Sequence, residues 1–240
     1  MKFVNLYKLA FLLLLWSALV SAAVGSSRYW RGAQVNDVHL ELIDEQNQRL
    51  LSESDLTELV RQWWSTQRDS AALQIDTYLL ETIINEHPLV ANAQVTWNLQ
   101  EALNVQVQVE QAVAHVRIGR ERHLLNTALQ LLPAPQKIAL DLPVITGVTD
   151  SASAHSSALV LRQIQTSGVV GKVAQLDARG RYYTLVPQGW NHVVLLSKEH
   201  NLGRQLGKLK AFYNAQSAAE LKEIKSIDVR YKNQVVHRTR

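Results

Sequence analysis

The chain contains no cysteine. That removes disulfides, thiolate nucleophiles, Cys-ligated zinc and iron–sulfur clusters together. It leaves the compartment open, because many exported domains also lack disulfides. Other chemical signatures are missing too. The eight histidines form no His-x-x-x-His or His-Glu-x-x-His pattern. The serine-rich stretch Ser151–Ser157 holds no Gly-x-Ser-x-Gly elbow and reads as a loop leading into a helix cap at Ser156 or Ser157. Gly168–Gly171 has no following Lys-Ser/Thr and is too short to cradle phosphate. No pair of carboxylates stands in a setting that would split its pKa values. Basic residues are not interleaved with aromatics as on a nucleic-acid platform, so no nucleic acid is expected as a partner. These absences leave no support for an enzyme, a metal or a cofactor.

What is present is a chain of 240 residues, 47% hydrophobic, long enough for one or two domains with a real core. Its formal charge of +4 is unevenly spread. Residues 32–197 are net acidic, whereas residues 198–240 hold ten basic and four acidic side chains. A basic tail suits acidic lipid or an acidic partner, and equally a solvated surface.

From Leu9 to Gly25 there is no charge. As helix this run spans about 25 Å, just short of a hydrocarbon core of about 30 Å. Tyr7 on one side and Tyr29-Trp30 on the other would place aromatic rings at both interfaces, and Lys8 can snorkel outward. A transmembrane anchor over 9–25 behind a cytoplasmic stub of residues 1–8 is one reading. A signal peptide cleaved near Val20-Ser21-Ala22-Ala23 is the other. Either exports the rest of the chain.

Residues 33–118 read as a first domain. Val38, Leu40 and Leu42 alternate with polar residues as a strand. Ser52 and Asp55 have capping-box spacing. The helix they open carries Leu56, Leu59, Val60, Trp63 and Trp64 on one face. Asp76 caps a second helix with Leu79, Leu80, Ile83 and Ile84 on its core side, and Pro88 ends it. Val90–Leu99 and Leu103–Glu110 follow as strands, giving the order β-α-α-β-β. Adjacent aromatics on a helix cannot both face the core, so one of Trp63 and Trp64 is either a binding patch or packed under a loop. Together with Val95 and Trp97 on the exposed strand, they form the candidate recruitment surface.

Residues 119–240 read as a second domain. His123–Asn126 and Leu129–Pro133 form a hairpin around Thr127-Ala128. Strands are expected at Val173–Ala178, Tyr182–Pro187 and His192–Leu196, with Gly180 and Gly189 at the turns. An amphipathic helix spans Asn201–Asn214. The tail Ser226–Val236 alternates apolar and polar residues, the pattern of a single strand with one face on a sheet. Its place near the chain end makes it an expected sheet edge, open to a partner strand. Ile227, Val229, Tyr231, Asn233 and Val235 would share one face, and Asp228, Arg230, Lys232, Gln234 and Val236 the other.

Particular residues resemble the FtsQ/DivIB family of bacterial cell-division proteins. They are Leu51-Ser52-Glu53-Ser54-Asp55-Leu56, then Ile75-Asp76 with Leu80-Glu81, then His87-Pro88-Leu89-Val90 with Ala93 and Val95, then Leu103, Val105, Val107 and Glu110. In the second half they are Leu142-Pro143-x-x-x-Gly147, Tyr183-x-Leu185-x-Pro187-x-Gly189, Leu209–Tyr213, and Asp228-x-Arg230-Tyr231-x-Asn233. Three departures stand out: no proline within Asn98–Ala102, none in Gln111–Ala114, and Ala128 where relatives usually carry glycine.

This resemblance implies an α+β protein: a single N-terminal transmembrane helix, a POTRA domain, then a mixed, mainly antiparallel β domain with flanking helices. It favours the uncleaved anchor, with the N-terminus cytoplasmic and the bulk periplasmic, at the inner membrane and the division septum. It implies a non-enzymatic scaffold without cofactor that binds FtsB/FtsL-like bitopic proteins and other divisome components, linking them to septal peptidoglycan synthesis. It makes Ile227–Val236 the partner-binding segment and Tyr231 the leading contact. Arg230 and Lys232 suit an acidic partner. Two alternatives stand beside it: a POTRA-bearing, membrane-anchored export module, which tandem repeats or a barrel-like pattern would mark, and a secreted cell-wall enzyme.

Overall fold

A computed structural model of the chain describes residues 11–24, 37–67, 76–97, 102–135 and 138–240. Residues 11–24 are helical (α1), and every one of them is exposed, Phe11 through Trp16 included. They make about 21 Å of helix. No helix among the described residues is long and apolar enough to cross a membrane. Leu9, Ala10 and Gly25, the ends of the apolar run, and the flanking Tyr7, Tyr29 and Trp30 lie outside the described residues.

The remainder divides into two compact units. The first contains β1 (Asp37–Ile43), α2 (Glu53–Gln67), α3 (Thr77–Asn85), β2 (Val90–Trp97) and β3 (Ala102–Val109). These come in the order β-α-α-β-β. Their sheet runs β1-β3-β2, with β1 parallel and β2 antiparallel to β3. β3 is central, paired on both sides, and the one face that carries Leu103, Val105 and Val107 is fully enclosed. The Ser52 hydroxyl accepts the Ser54 N–H at the start of α2. The Asp76 carboxylate accepts the Leu79 N–H at the start of α3. Leu56, Val60 and Trp63 of α2 and Leu80 and Ile84 of α3 turn into the core.

The second unit comprises residues 45–50 and 110–240. The division therefore falls at 109/110, not at 118/119. The strand β4 (Ala112–Ile118) explains the difference: it pairs with β5 (Glu121–Asn126) and β7 (Val144–Val148), not with the first sheet. β6 (Leu131–Pro133), β8 (Val173–Asp177), β9 (Tyr182–Pro187), β10 (Val193–Ser197), β11 (Ile224–Asp228) and β12 (Val236–Thr239) complete a nine-stranded, mostly antiparallel sheet. Its order is β12-β11-β10-β9-β8-β7-β4-β5-β6.

Two helices, α4 (Ser151–Ser167) and α5 (Leu202–Ala215), bury Ala158, Leu161 and Ile164, and Leu206 and Leu209, in one cluster with Ile145, Leu176, Leu185, Val194, Leu196 and Ile227. α4 begins earlier than the serine run suggested. Asp150 and Ser153 form a capping box, so Ser156 and Ser157 lie within the helix and Ser157 donates to the Ser153 carbonyl. A short helix, α6 (Ala218–Glu223), is capped by Ser217 and Glu220. Its Ser-x-x-Glu signal stood in the sequence.

Candidate partner-binding site

The tail is not one strand. β11 ends at Asp228, residues 229–235 turn, and β12 returns antiparallel, with Asp228 opposite Val236, Ile227 opposite His237 and Ser226 opposite Arg238. Asp228 causes the turn. Its carboxylate accepts the Arg230 backbone N–H at 3.1 Å, an Asx-type turn. It also takes the Arg230 guanidinium at 2.9 and 2.6 Å. Lys208 of α5 donates to the carbonyl of Val229 at 2.7 Å and to that of Tyr231. An extended chain could not present both carbonyls to one ammonium, so Lys208 holds the bend.

This geometry corrects the shared face expected for Ile227 through Val235. Ile227 and Val229 are fully buried in the core. Tyr231, at the bend, is 48% exposed, and Lys232, Asn233 and Gln234 are exposed with it. Val235 is half-buried against the core, and Val236, 41% exposed, begins β12. The sheet edge is therefore β12. The Val229 N–H donates to the Leu195 carbonyl of β10, so Ile227 and Val229 bond inward and Ser226 and Asp228 face β12. By alternation Val236 and Arg238 bond to β11, and His237 turns its N–H outward.

Beside the bend, the Arg230 guanidinium lies 4.5 Å from the centroid of the Tyr182 ring, a cation–π contact. Strand register explains the meeting. Asp228 and Thr184 flank Leu195, and two residues further on Arg230 and Tyr182 flank the end of β10. Tyr182 is 37% exposed. Partial burial by itself would raise the Asp228 pKa, but the Arg230 hydrogen bonds and charge, with Lys208, hold it below the ordinary carboxylate value. Arg230 and Lys208 are thus held in place, and the surface combines two exposed tyrosine rings with Arg230, Lys208 and Lys232. Tyr182, Lys208, His237 and Arg238 were missed by sequence reasoning. Only the Tyr182-Tyr183 pair at a strand start could have signalled one of them.

The candidate recruitment residues are divided by the fold. Trp63 and Val95 are core side chains, 8% and 5% exposed, which corrects their placing on a surface. Trp64 is half-buried and lines a groove with Leu40, Thr57, Val60 and Arg61. Trp97 is half-buried at the end of β2. The β2 edge is not open at its centre. Its outward N–H groups at Ala93 and Val95 are bonded by Asn85 and Glu81 of α3.

Among the described residues no group of three or more His, Asp or Glu gathers as a metal site. The most perturbed histidine, His192, is buried against Trp190 and bonded at 2.8 Å to the Tyr213 hydroxyl. Burial lowers its pKa, against the pull of the Leu221 carbonyl. It faces no cleft.

Residues 111–237 match the family model described as FtsQ/DivIB, C-terminal related. The match spans β4 through the first half of β12, and so contains both the cation–π pair and the bend. No curated protein matches the chain.

Proposed function

Because this chain belongs to the FtsQ/DivIB family of cell-division proteins, we propose that it is a non-enzymatic scaffold of the division machinery that captures an FtsB/FtsL-type bitopic partner on its second unit. One observation carries this reading: the nine-stranded sheet ends in the short edge strand β12, beside a cationic surface with two exposed tyrosines. An extended partner segment adds to β12 through backbone hydrogen bonds. Acidic side chains on that segment meet Arg230, Lys232 and Lys208, and Tyr231 and Tyr182 supply apolar contact area with a polar tip. The captured partner then links the chain to septal peptidoglycan synthesis.

The same reading makes residues 9–25 the anchor, with the bulk of the chain periplasmic. The uncharged run and the wholly exposed apolar helix at 11–24 support it. Protein extracted from membranes should keep Met1; an N-terminus near Ala23 would overturn the anchor. The first unit, with its β-α-α-β-β order, serves as a POTRA-like recruitment module through Trp64 and Trp97. A fluorescent fusion lacking that unit should lose its septal position while staying in the membrane.

Titration of the detergent-solubilised chain with an acidic partner peptide tests the binding surface. Tyr231→Ala should weaken capture by about 1–3 kcal/mol if it is a hot spot. His237→Pro should weaken it further by deleting an outward donor from the edge. Unchanged affinity in both variants, or affinity lost together with the fold, would refute the assignment.

A further inference from the structure

Unpaired strand edges invite other chains, and proteins blunt them with charge, proline, brevity or a covering element. Among the described residues the two sheets end in four edge strands. β1 carries Glu41; β6 has three residues and ends in Pro133; β12 has four and carries Arg238. β2 has none of these devices. It runs eight residues, Val-Ala-Asn-Ala-Gln-Val-Thr-Trp, without charge or proline.

What β2 has instead is a pair of side chains from α3. The Ala93 N–H donates to Asn85 Oδ1 at 2.9 Å, and the Val95 N–H donates to Glu81 Oε1 at 2.8 Å. The spacing is matched. Residues four apart rise about 6 Å along a helix, and residues two apart advance about 6.7 Å along a strand. Leu80 and Ile84, fully buried beside the two acceptors, pin α3 to the sheet and so aim Glu81 and Asn85 at the strand. The ends of the pair are thus set by core packing, and the central outward donors of an otherwise unprotected edge are occupied.

We propose that Glu81 and Asn85 are a latch that keeps the β2 edge closed, and that releasing it lets β2 pair antiparallel with β2 of a second copy of this chain. The strand suits a copy of itself. Its exposed residues Ala91, Asn92, Gln94 and Thr96 are uncharged, so a two-fold pairing sets no like charges opposite each other. The latch is independent of the partner surface on the second unit.

The absence of cysteine supplies a clean reporter. In the full chain in detergent, Gln94→Cys places one thiol at the centre of β2. Gln94 bonds inward to β3, so across a new antiparallel pair it would stand in a non-hydrogen-bonded position, where Cα atoms lie close enough for a disulfide. Oxidised dimer should rise at least tenfold when Glu81→Ala and Asn85→Ala are added, and should stay at the starting level with Glu81→Gln, which keeps the Oε1 acceptor. Amide exchange in dilute samples separates latch from fold. Glu81→Ala should speed exchange at Val95 and not at Ala93, and Asn85→Ala the reverse. If neither amide responds, or if both speed up together with the Val105 amide of the central strand, there is no latch. If the amides respond as expected but dimer yield is equal in all variants, the pairing with a second copy is refuted.

Discussion

Replacing Gly147 with alanine should damage the second unit more than a single methyl suggests. Gly147 has φ +75°, in the left-handed region. An added Cβ would lie 2.4 Å from Asp177 Oδ1, 2.5 Å from Arg179 N and 2.6 Å from Arg179 Cγ. The neighbouring chain cannot give way cheaply. The Ala178 N–H is bonded to the Thr146 carbonyl at 2.8 Å, Asp177 accepts both the backbone and side-chain N–H of Arg179, and Lys198 donates to the Ala178 carbonyl at 2.6 Å. The left-handed conformation costs an alanine about 1–2 kcal/mol. Overpacking adds about 1–3 kcal/mol, and loss of the strand-extending hydrogen bond adds about 1 kcal/mol. The sum is about 3–6 kcal/mol, or roughly a hundredfold to ten-thousandfold in the opening equilibrium at about 1.4 kcal/mol per decade. Amide exchange at Ile145 and Leu176, paired across β7 and β8 and both fully buried, reads this directly. Exchange within tenfold of the parent chain would show that the 177–180 loop yields freely and that the close approach is not a constraint.

Asp228→Ala should release both the turn and Arg230, costing about 1.5–3 kcal/mol through loss of charge-assisted hydrogen bonds, and should weaken partner capture as much as Arg230→Ala; a variant that melts and binds normally would show that Lys208 alone sets the bend. Because the folded Asp228 pKa is depressed, its contribution to stability is present above the unfolded carboxylate value and is lost as pH falls below about 4; urea titrations should show a shallower acid limb in the alanine variant than in the parent. His192 is depressed too, so the unfolded chain takes up a proton first, and stability should fall as pH drops below about 6.5 toward the folded value; His192→Gln should flatten that slope, and an unchanged slope would place the titration elsewhere. Gln205 fills three bonds in a buried site, accepting from the Ser197 N–H and donating to the Ser197 and His200 carbonyls. Gln205→Leu should therefore cost about 1–3 kcal/mol for each group left unpaired, seen as a lower melting temperature of the second unit.

Much of the local structure was legible in the chain because local physics decides it. Asp76 was readable as a cap and accepts the N–H three residues on, and the helix expected from Asn201 is there, with Asn201 accepting the Arg204 N–H. The alternation from Leu103 to Val109 marked a strand buried on one face, and that strand became the centre of its sheet. Gly147 stood out within Leu142–Gly147, though nothing in the sequence showed that Arg179 would crowd it. Where reasoning failed, a distant contact had prevailed over a local pattern. The alternation of Ser226–Val236 is strand-like, but Lys208, about twenty residues earlier, gathers the carbonyls of Val229 and Tyr231 and bends it. β4 has the same alternation as β3, yet pairs with β5 and β7, so the unit boundary moved. Val95 and Trp63 read as surface residues until α3 and the sheet closed over them. Caps, periodicity and composition were determined by the sequence itself, since each depends on neighbours a few residues away. Which strand became the edge, which tyrosines stayed exposed and which amides were latched were decided only by the tertiary structure, because each depends on side chains that folding brings from elsewhere in the chain.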